Sequence, residues 1–373
     1  EYDDVKADVL AWFPKLRAGA LVVMHDAGWA EGVQRVVKEH VQPIAYKEGS
    51  LPNMYWARVT LMKLSVIIPT RNRSALLSKA LESLTTQTYP ISHFEVIVVD
   101  NGSTDNTAEV CQHFKQKIPQ LKRIYDPRPG LHNGRHTGLM EAGGEILVYA
   151  DDDIEALPTW LEGIAESFVD PVVGLVGGKI LPKFERPPPE WVATLSNKTS
   201  SGWWLGWYSI LDFGDTVHEI PHEYVWGCNF SVRKEALNKA GGFHPDSFPH
   251  ELIKYRGDGE TAVSFALRDM GLKCVYNPKA SVYHIVSSDR LTVEYIYKRT
   301  FNQGISDSYS SIRNNRALSI PRMYSRPSNT IHETVNRGMV DGFNYHQHMV
   351  QTDSKLNKWV LMDNYLRKKG VPQ

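Results

Sequence analysis

The chain has 373 residues and a formal net charge of zero, because 42 Lys and Arg residues balance 42 Asp and Glu residues. This length suits one large domain or two smaller ones with an ordinary hydrophobic core. The balanced charge argues against a protein built around nucleic-acid phosphates, which is normally basic, but leaves room for a local anion site.

The three cysteines, Cys111, Cys228 and Cys274, lie far apart and form no CxxC pair. This pattern disfavours a disulfide framework and a zinc site, and it predicts a reducing, cytoplasmic location. No apolar run approaches the roughly 18 to 20 residues of a membrane-spanning helix, and no signal-peptide pattern is present. The chain starts at Glu1 rather than at Met, which is typical of a piece of a longer protein.

Residues 1–60 have a pattern of their own. The stretch "GALVVMHDAGWAEGVQRVVKEHVQPIAYKEG" predicts a strand, a helix and a strand. It resembles the C-terminal part of a class I methyltransferase fold, including the pair His25 and Asp26. Since the chain lacks the glycine-rich loop that would hold S-adenosylmethionine, we predict no methyl transfer and interpret these residues as a Rossmann-like remnant or a docking segment.

From Lys63 onward, short buried strands alternate with helices. The predicted strands are "LSVIIPT", "FEVIVVD", "KRIYD" and "EILVYA". This alternation predicts an α/β fold with a mostly parallel sheet covered by helices. Ligands of such sheets bind at the carboxyl ends of the strands, where Pro69, Asp100 and Asp151 lie.

The second half of the chain is less regular. Residues 155–181 read as a helix followed by one strand, "VVGLVGGKIL". A helix is predicted from about Asp258 to Met270, followed by a strand that ends at His284. The tail after Arg290 reads as largely helical.

Three consecutive aspartates, Asp151, Asp152 and Asp153, follow an apolar strand. In an extended strand, residues i and i+2 point the same way, so Asp151 and Asp153 are expected to face one ligand. Two carboxylates are hard ligands suited to Mg²⁺ or Mn²⁺, which could hold the diphosphate of a sugar nucleotide. The alternative is a solvated acidic turn in which an aspartate caps the next helix.

The segment from Lys63 to about His284 resembles glycosyltransferase family 2, with the GT-A fold. The residues that carry the resemblance occur in the family's order: "SVIIPTRNR", "VIVVDNGSTDNT", "GGEILVYADDD", "GCNFSVRKEALNKAGGF", "GDGETAVSFALRDMG" and "NPKASVYH". The resemblance implies a GT-A domain over residues 61–290 and a helical extension over residues 291–373.

The resemblance also implies a donor site. Nucleotide-binding roles fall to Pro69, Thr70, Arg71, Asp100, Arg135, Asp151 and Asp152. Metal-binding roles fall to Asp151, Asp153 and His284. Each role has a structural alternative: Arg71 could be solvated, Asp100 could shape the turn at Asn101, and His284 could be structural. Arg135 lies in "HNGRHTG", which departs from the family's usual "ARNxG".

Sugar transfer with inversion needs a carboxylate that takes the acceptor's proton. The candidates are Asp258 and Glu260 in "GDGETA". The family pattern places Glu260 at the catalytic acid, one methylene longer than the usual aspartate. We assign Glu260 as the base and Asp258 as the helix N-cap, while both could instead merely serve the helix dipole.

Aromatic residues are dense around residues 203–226. We predict that Trp203, Trp204 and Trp226 stack on sugar rings, and that Asn229 reaches a sugar hydroxyl. The alternative is an aromatic core beneath a loop.

We therefore predict an inverting, metal-dependent glycosyltransferase (EC 2.4 class). Its donor is a nucleoside-diphosphate sugar, with a UDP-sugar as first choice, and its acceptor is a hydroxyl of a glycan or lipid-linked molecule. One alternative is a non-catalytic carbohydrate-binding or scaffolding relative. A sugar-nucleotide pyrophosphorylase is disfavoured because "PTRNRSA" lacks its glycine-rich loop. Lys298, Arg299 and Arg313 leave open either peripheral contact with the inner membrane or a solvated helix.

Overall fold

The computed structural model describes residues 2–13, 16, 20–59, 62–200, 202–314 and 330–366. The strands are β1 Leu21–His25, β2 Ala45–Leu51, β3 Met54–Val59, β4 Leu64–Thr70, β5 Phe94–Asp100, β6 Leu121–Tyr125, β7 Ile146–Ala150, β8 Ile154–Ala156, β9 Val173–Gly177, β10 Ile180–Phe184, β11 Asn197–Thr199, β12 Gly202–Leu205, β13 Ile210–Asp212, β14 His218–Glu219, β15 Asn229–Arg233, β16 Lys273–Tyr276 and β17 Val282–Val286.

The α-helices are α1 Tyr2–Trp12, α2 Glu31–Val36, α3 Ser74–Leu84, α4 Thr107–Phe114, α5 Leu131–Glu141, α6 Trp160–Ser167, α7 Glu190–Thr194, α8 Lys234–Ala240, α9 Glu260–Asp269, α10 Val293–Arg313, α11 Thr330–Thr352 and α12 Ser354–Val360.

The first sixty residues form a small antiparallel sheet in the order β1-β3-β2. The predicted strand, helix and strand are present, and β3 adds a hairpin partner to β2. Apolar side chains such as Val36 and Ala57 are fully buried in the same hydrophobic core as Leu64 of β4. The likeness of this unit to the end of a methyltransferase stays a prediction.

The central sheet has eight strands in the order β14-β16-β9-β15-β7-β4-β5-β6. Strands β7, β4, β5 and β6 run parallel, whereas β15 runs antiparallel to both of its neighbours. Every residue of β4, β5 and β7 is buried, because helices cover both faces of the sheet. The predicted α/β architecture is confirmed, but the sheet is mixed, because β14 and β15 pair antiparallel with their neighbours.

A second sheet of six strands, β11-β12-β13-β10-β17-β8, lies beside the first. The prediction of a single strand at "VVGLVGGKIL" is wrong, because β9 ends at Gly177 and β10 begins at Ile180 in the other sheet. Strand β17 pairs antiparallel with β8, so that His284 faces Ile154. This pairing brings the end of β17 next to the three aspartates.

The chain after Arg290 is helical where it is described, as predicted. Helices α10 and α11 pack against each other over most of their length. Residues 315–329 and 367–373 lie outside the described residues. No helix in the described part of the chain is both long and apolar enough to cross a lipid bilayer.

Candidate active site

Two adjoining cavities open where β4 and β7 end. The larger cavity has a volume of about 700 Å³ and contains the three aspartates in its wall. The smaller cavity has a volume of about 330 Å³ and is lined by Trp204, Trp226 and Asp258, among others. Six residues line both cavities and define what we call the junction: Trp207, Ser209, Asp246, Arg256, Glu260 and Arg299.

Arg73 bridges two of the three aspartates. Its Nη1 donates to Asp152 Oδ1 at 2.6 Å, and its Nη2 donates to Asp153 Oδ2 at 2.8 Å. Thr70 Oγ1 also donates to Asp152 at 2.7 Å, because the parallel pairing of β4 with β7 places the ends of both strands side by side. A guanidinium of the chain itself therefore compensates part of the negative charge.

The prediction that an extended strand runs through the three aspartates is wrong. Strand β7 ends at Ala150, and the aspartates form a turn before β8. The alternation of an extended strand does not apply to a turn. Asp151 consequently has a partner of its own, Arg135, whose Nη2 lies 4.0 Å from Asp151 Oδ1.

Asp153 and His284 form a pair whose chemistry fits a divalent cation. His284 Nδ1 donates to the carbonyl oxygen of Tyr208 at 2.7 Å, and its Nε2 lies 3.3 Å from Arg290 Nη1. This Nε2 lies 3.5 Å from Asp153 Oδ1, a buried oxygen with no hydrogen-bond partner among the described residues. Arg290 occupies the other oxygen of Asp153, with Nη2 at 2.9 Å. A free carboxylate oxygen beside an imidazole suits Mn²⁺ or Mg²⁺.

The predicted three-ligand metal set is not assembled. In the described ranges, no three His, Cys, Asp or Glu side chains are grouped so that they could hold a metal ion. Asp153 and His284 are 3.5 Å apart, whereas Asp151 lies 4.0 Å from Arg135.

Negative charge concentrates on Asp153. Burial, and after it the charge of Asp153, raises the pKa of Asp151 above its ordinary value. Burial raises the pKa of Asp152 to about 7, against the opposing effect of Arg73. Burial also acts to raise the pKa of Asp153, but the His284 ring and the two guanidiniums lower it far below the ordinary value.

Glu260 is held at the junction by two donors. Arg135 Nη1 donates to its Oε2 at 3.0 Å, and the backbone N–H of Gly227 donates to its Oε1 at 3.0 Å. Gly227 has to be a glycine, because a Cβ there would lie 2.0 Å from Arg135 Nη2. A carboxylate has about four acceptor positions, so Glu260 keeps acceptor capacity toward both cavities.

Asp258 does not cap helix α9, which corrects the prediction. Its Oδ1 pairs with His244 Nδ1 at 2.6 Å, and its Oδ2 accepts from Ser310 Oγ at 2.7 Å. The residue at the N-cap position is Gly259, and no side-chain capping bond is made there. Asp258 lines the smaller cavity but not the junction.

Three other predicted site residues lie away from the cavities that the described residues form. Asp100 is fully buried, and its carboxylate accepts from Ser103 N and from Arg123, so it shapes the turn after β5. Asn229 is buried between Trp160 Nε1 and the carbonyl oxygen of Ala280, so its amide is not available to a sugar hydroxyl. Trp203 packs in a core cluster and lines neither cavity.

The remaining predictions fall on cavity walls. Pro69, Thr70 and Arg71 line the larger cavity. Trp204 and Trp226 line the smaller one, where Trp204 also packs edge-on against the ring of Tyr224 at 5.1 Å. The aromatic cluster is thus partly core and partly cavity wall.

Sequence reasoning missed the arginines that organise the larger cavity. Arg73 belongs to the quoted stretch "SVIIPTRNR", but only Arg71 was assigned a role. Arg290 follows β17 in "SSDRL", and its spacing of six residues from His284 carries no recognisable signal. Trp207 falls in the aromatic-rich region predicted to contact sugars, whereas Arg299 was connected only with membrane contact or a solvated helix, because its position at the junction depends on the packing of α10.

Cations outnumber acids in the wall of the larger cavity. The basic residues are Arg71, Arg73, Arg135, Arg256, Arg290, Lys298 and Arg299, and the acidic residues are Asp151, Asp152, Asp153, Asp246 and Glu260. Ion pairs engage Arg73, Arg135, Arg256 and Arg290. Within the described chain, Arg71, Lys298 and Arg299 have no carboxylate at ion-pairing distance. The excess of positive charge in the wall therefore suits an anionic ligand.

Comparison with known proteins agrees with this geometry. Residues 65–241 match the family model described as "Glycosyl transferase family 2". The match includes β4, β5, β7 and the aspartates, and it ends before α9 and α10. Residues 65–241, which contain most of the central sheet and the three aspartates, are therefore similar to glycosyl transferase family 2.

Two curated relatives come from Haloferax volcanii. Glycosyltransferase AglE is 39% identical over 32% of this chain and 40% of its own length. Glucosyl-dolichyl phosphate glucuronosyltransferase is 25% identical over 66% of this chain and 76% of its own length. Validoxylamine A glucosyltransferase of Streptomyces hygroscopicus subsp. limoneus is 27% identical over 57% of this chain and 49% of its own length. The chain thus spans about half or less of two of these three proteins.

Among solved structures, mannosyltransferase PcManGT of Pyrobaculum calidifontis, in complex with GDP-Man and Mn²⁺, has a TM-score of 0.48 and 18% identity. The alignment covers 79% of this chain and 75% of that one.

Proposed function

We propose that the protein is an inverting, metal-dependent glycosyltransferase. It transfers a sugar from a nucleoside-diphosphate sugar, with a UDP-sugar as the first donor to test, to a hydroxyl of a glycan or lipid-linked acceptor. The observation that carries the proposal is the position of Glu260, whose carboxylate lies where a cationic cavity meets a tryptophan-lined one.

The larger cavity is assigned to the donor, because its excess positive charge suits a diphosphate. Asp153 and His284 would hold a divalent cation, and phosphate oxygens and water would supply the rest of its ligands. Such an ion, when bound, would offset the charge that develops on the leaving diphosphate. Arg71 and Lys298 add positive charge to the same wall.

The smaller cavity is assigned to the acceptor. Trp204 and Trp226 offer aromatic faces for the apolar face of a sugar ring. The acceptor hydroxyl gives its proton to Glu260 as its oxygen bonds to the anomeric carbon, while the bond from that carbon to the diphosphate oxygen breaks. Attack from the side opposite the diphosphate inverts the anomeric configuration. Arg135 and Gly227 keep the Glu260 carboxylate in place during this step.

The test is a panel of UDP-, GDP- and dTDP-sugars, with Mn²⁺ or with EDTA, in which release of nucleoside diphosphate is measured. We expect turnover of at least one donor that stops with EDTA. Proton NMR of the product then reports the anomeric configuration, which should be opposite to that of the donor. Failure of every donor to bind or turn over would contradict the proposal and favour a non-catalytic relative, whereas a retained configuration would contradict the role of Glu260.

A further inference from the structure

Arg299 is a cation without an acidic partner at the junction of the two cavities. It lies on α10 and lines both cavities, together with Glu260. Its guanidinium carbon lies 6.0 Å from the centre of the Trp207 ring. Among the described residues no carboxylate lies within ion-pairing distance of it, although the side chain is half-buried.

The neighbouring cation is already engaged. Arg256 Nη2 lies 2.7 Å from Asp246 Oδ1, and its Nε donates to Ser306 Oγ at 3.3 Å. Burial, and after it the charge of Arg256, lowers the pKa of Arg299. A half-buried guanidinium with no carboxylate at ion-pairing distance favours an anionic ligand at this position.

The helix that carries Arg299 is held firmly. Helices α10 and α11 cross in close contact: a Cβ added at Gly304 would lie 2.1 Å from the carbonyl oxygen of Met339, and one added at Gly338 would lie 2.1 Å from Thr300 Oγ1. Thr300, the next residue after Arg299, is fully buried in this contact. This contact fixes the position of α10, on which Arg299 lines both cavities.

We propose that Arg299 binds a carboxylate or phosphate carried by one of the two sugars that meet at the junction. This inference rests on the proposed function, because it assumes that donor and acceptor occupy the two cavities. A guanidinium can donate two parallel hydrogen bonds to such a group, which makes it selective for planar or tetrahedral oxyanions. The enzyme would then discriminate between charged and neutral sugars at the reacting end.

The test uses matched ligand pairs and calorimetry. Acceptor-side probes are methyl glucoside against methyl glucuronide and glucose 1-phosphate, with and without Mn²⁺ and UDP. Donor-side probes are UDP-glucose against UDP-glucuronate. We expect at least one charged probe to bind about tenfold tighter than its neutral partner. Arg299→Ala should abolish that preference, and Arg299→Lys should keep part of it.

The control is Arg337→Ala, which removes an exposed arginine from α11 that packs on the Tyr297 ring. It should keep the full preference. A preference in the acceptor pair or in the donor pair identifies which sugar carries the anion. The inference is overturned if no pair shows a preference, if the preference survives in Arg299→Ala, or if that variant weakens UDP binding alone, which would assign Arg299 to the diphosphate.

The two proposals fail in different ways. If no nucleotide binds, the proposed function fails, while the acceptor-side probes without nucleotide still decide whether Arg299 binds an anion. If nucleotide sugars turn over without any charge preference, only the role of Arg299 fails. Thermal unfolding of Arg299→Ala checks that the variant is folded.

Discussion

The two cavities that share Glu260 are built in different ways. The larger one lies at the ends of β4 and β7, and several of its charges are held by ion pairs such as Arg73 with Asp152. The smaller one is lined by Trp204, Trp207 and Trp226 and by side chains of α9 and α10. The chain therefore combines a cavity of strand ends and ion pairs with a cavity of aromatic and helical side chains.

This difference suggests where specificity lies. Strand ends fix the positions of Thr70 and Asp153, because neighbouring strands are locked in register. The helices that carry Glu260 and Arg299 are positioned by packing, which tolerates a wider range of side chains. Substitutions on the larger cavity should affect donor binding, and those on the smaller cavity should affect the acceptor.

The largest expected effect tests the residue that both cavities share. Glu260→Gln keeps the hydrogen-bonding shape but cannot take a proton, so kcat should fall by about 10² to 10⁴ while donor binding changes little. Steady-state kinetics together with nucleotide titration measures both. Asp258→Asn should retain more activity than Glu260→Gln, because Asp258 does not line the junction.

The matched control for Glu260 is Asp269→Asn, an exposed acid at the other end of α9. It should leave kcat unchanged. A larger fall in kcat in Asp258→Asn than in Glu260→Gln would indicate that Asp258 is the base.

The second prediction addresses the larger cavity alone. Asp153→Asn removes the negative charge beside His284, so Mn²⁺ should bind at least roughly 100-fold more weakly in the presence of nucleotide. Calorimetric titration of Mn²⁺ at fixed nucleotide measures this change. Glu155→Gln, which lies two residues away and pairs with Lys183, is the control. Equal Mn²⁺ affinity in wild type and Asp153→Asn would show that the metal does not bind at this position.

The third prediction concerns the helices beneath the smaller cavity. His346 on α11 is fully buried, and its Nδ1 lies 2.8 Å from Ser308 Oγ on α10. Burial lowers its pKa to about 4, so the folded state binds this proton less readily than the unfolded state. Stability is therefore complete above the unfolded pKa of about 6.5 and decreases as the pH falls, by about 2 kcal/mol between pH 7 and pH 5.

Denaturant unfolding at both pH values checks this dependence. Between pH 7 and pH 5, the free energy of unfolding of His346→Gln should fall by about 2 kcal/mol less than that of the wild type. An identical pH dependence in both proteins would show that His346 does not remain neutral in the fold.

The smallest expected effect tests the tryptophans of the smaller cavity. Trp226→Ala should raise the acceptor KM about fivefold, since an aromatic face contributes about 1 kcal/mol, and it should leave the donor KM unchanged. Initial rates at varied acceptor and donor concentrations separate the two. Trp203 lines neither cavity, so Trp203→Ala should leave the acceptor KM unchanged. A higher acceptor KM in Trp203→Ala but not in Trp226→Ala would show that the acceptor binds outside the smaller cavity.

Much of the fold could be predicted because it follows from local patterns. The buried runs at β4, β5 and β7 have the length and flanking residues of parallel strands, and the polar residues at their ends indicated the ligand side of the sheet. Thr70, Asp152, Asp153 and Glu260 were therefore found at or near the cavities. The split of "VVGLVGGKIL" between two sheets was not predicted, because a strand's partners depend on pairing with distant segments.

Side-chain partners were harder to predict than positions. Asp100 and Asn229 have the polarity expected of ligand contacts, but Arg123 and Trp160 occupy them. Asp258 was expected to cap α9, yet His244, fourteen residues earlier, binds it. In each case the partner is distant in sequence or lies on another element, so the local pattern carries no information about it.

The sequence by itself determined the class of fold, the position of three aspartates directly after β7 and the acid at the start of α9, because these depend on apolar periodicity and on short motifs. The tertiary structure alone decided that Arg73 and Arg290 pair with Asp153, that Asp151 lies beside Arg135, and that Arg299 lines the same junction as Glu260. The physical reason is that charges pair through space: the packing of α10 and the pairing of β17 with β8 set distances that spacing along the chain does not encode.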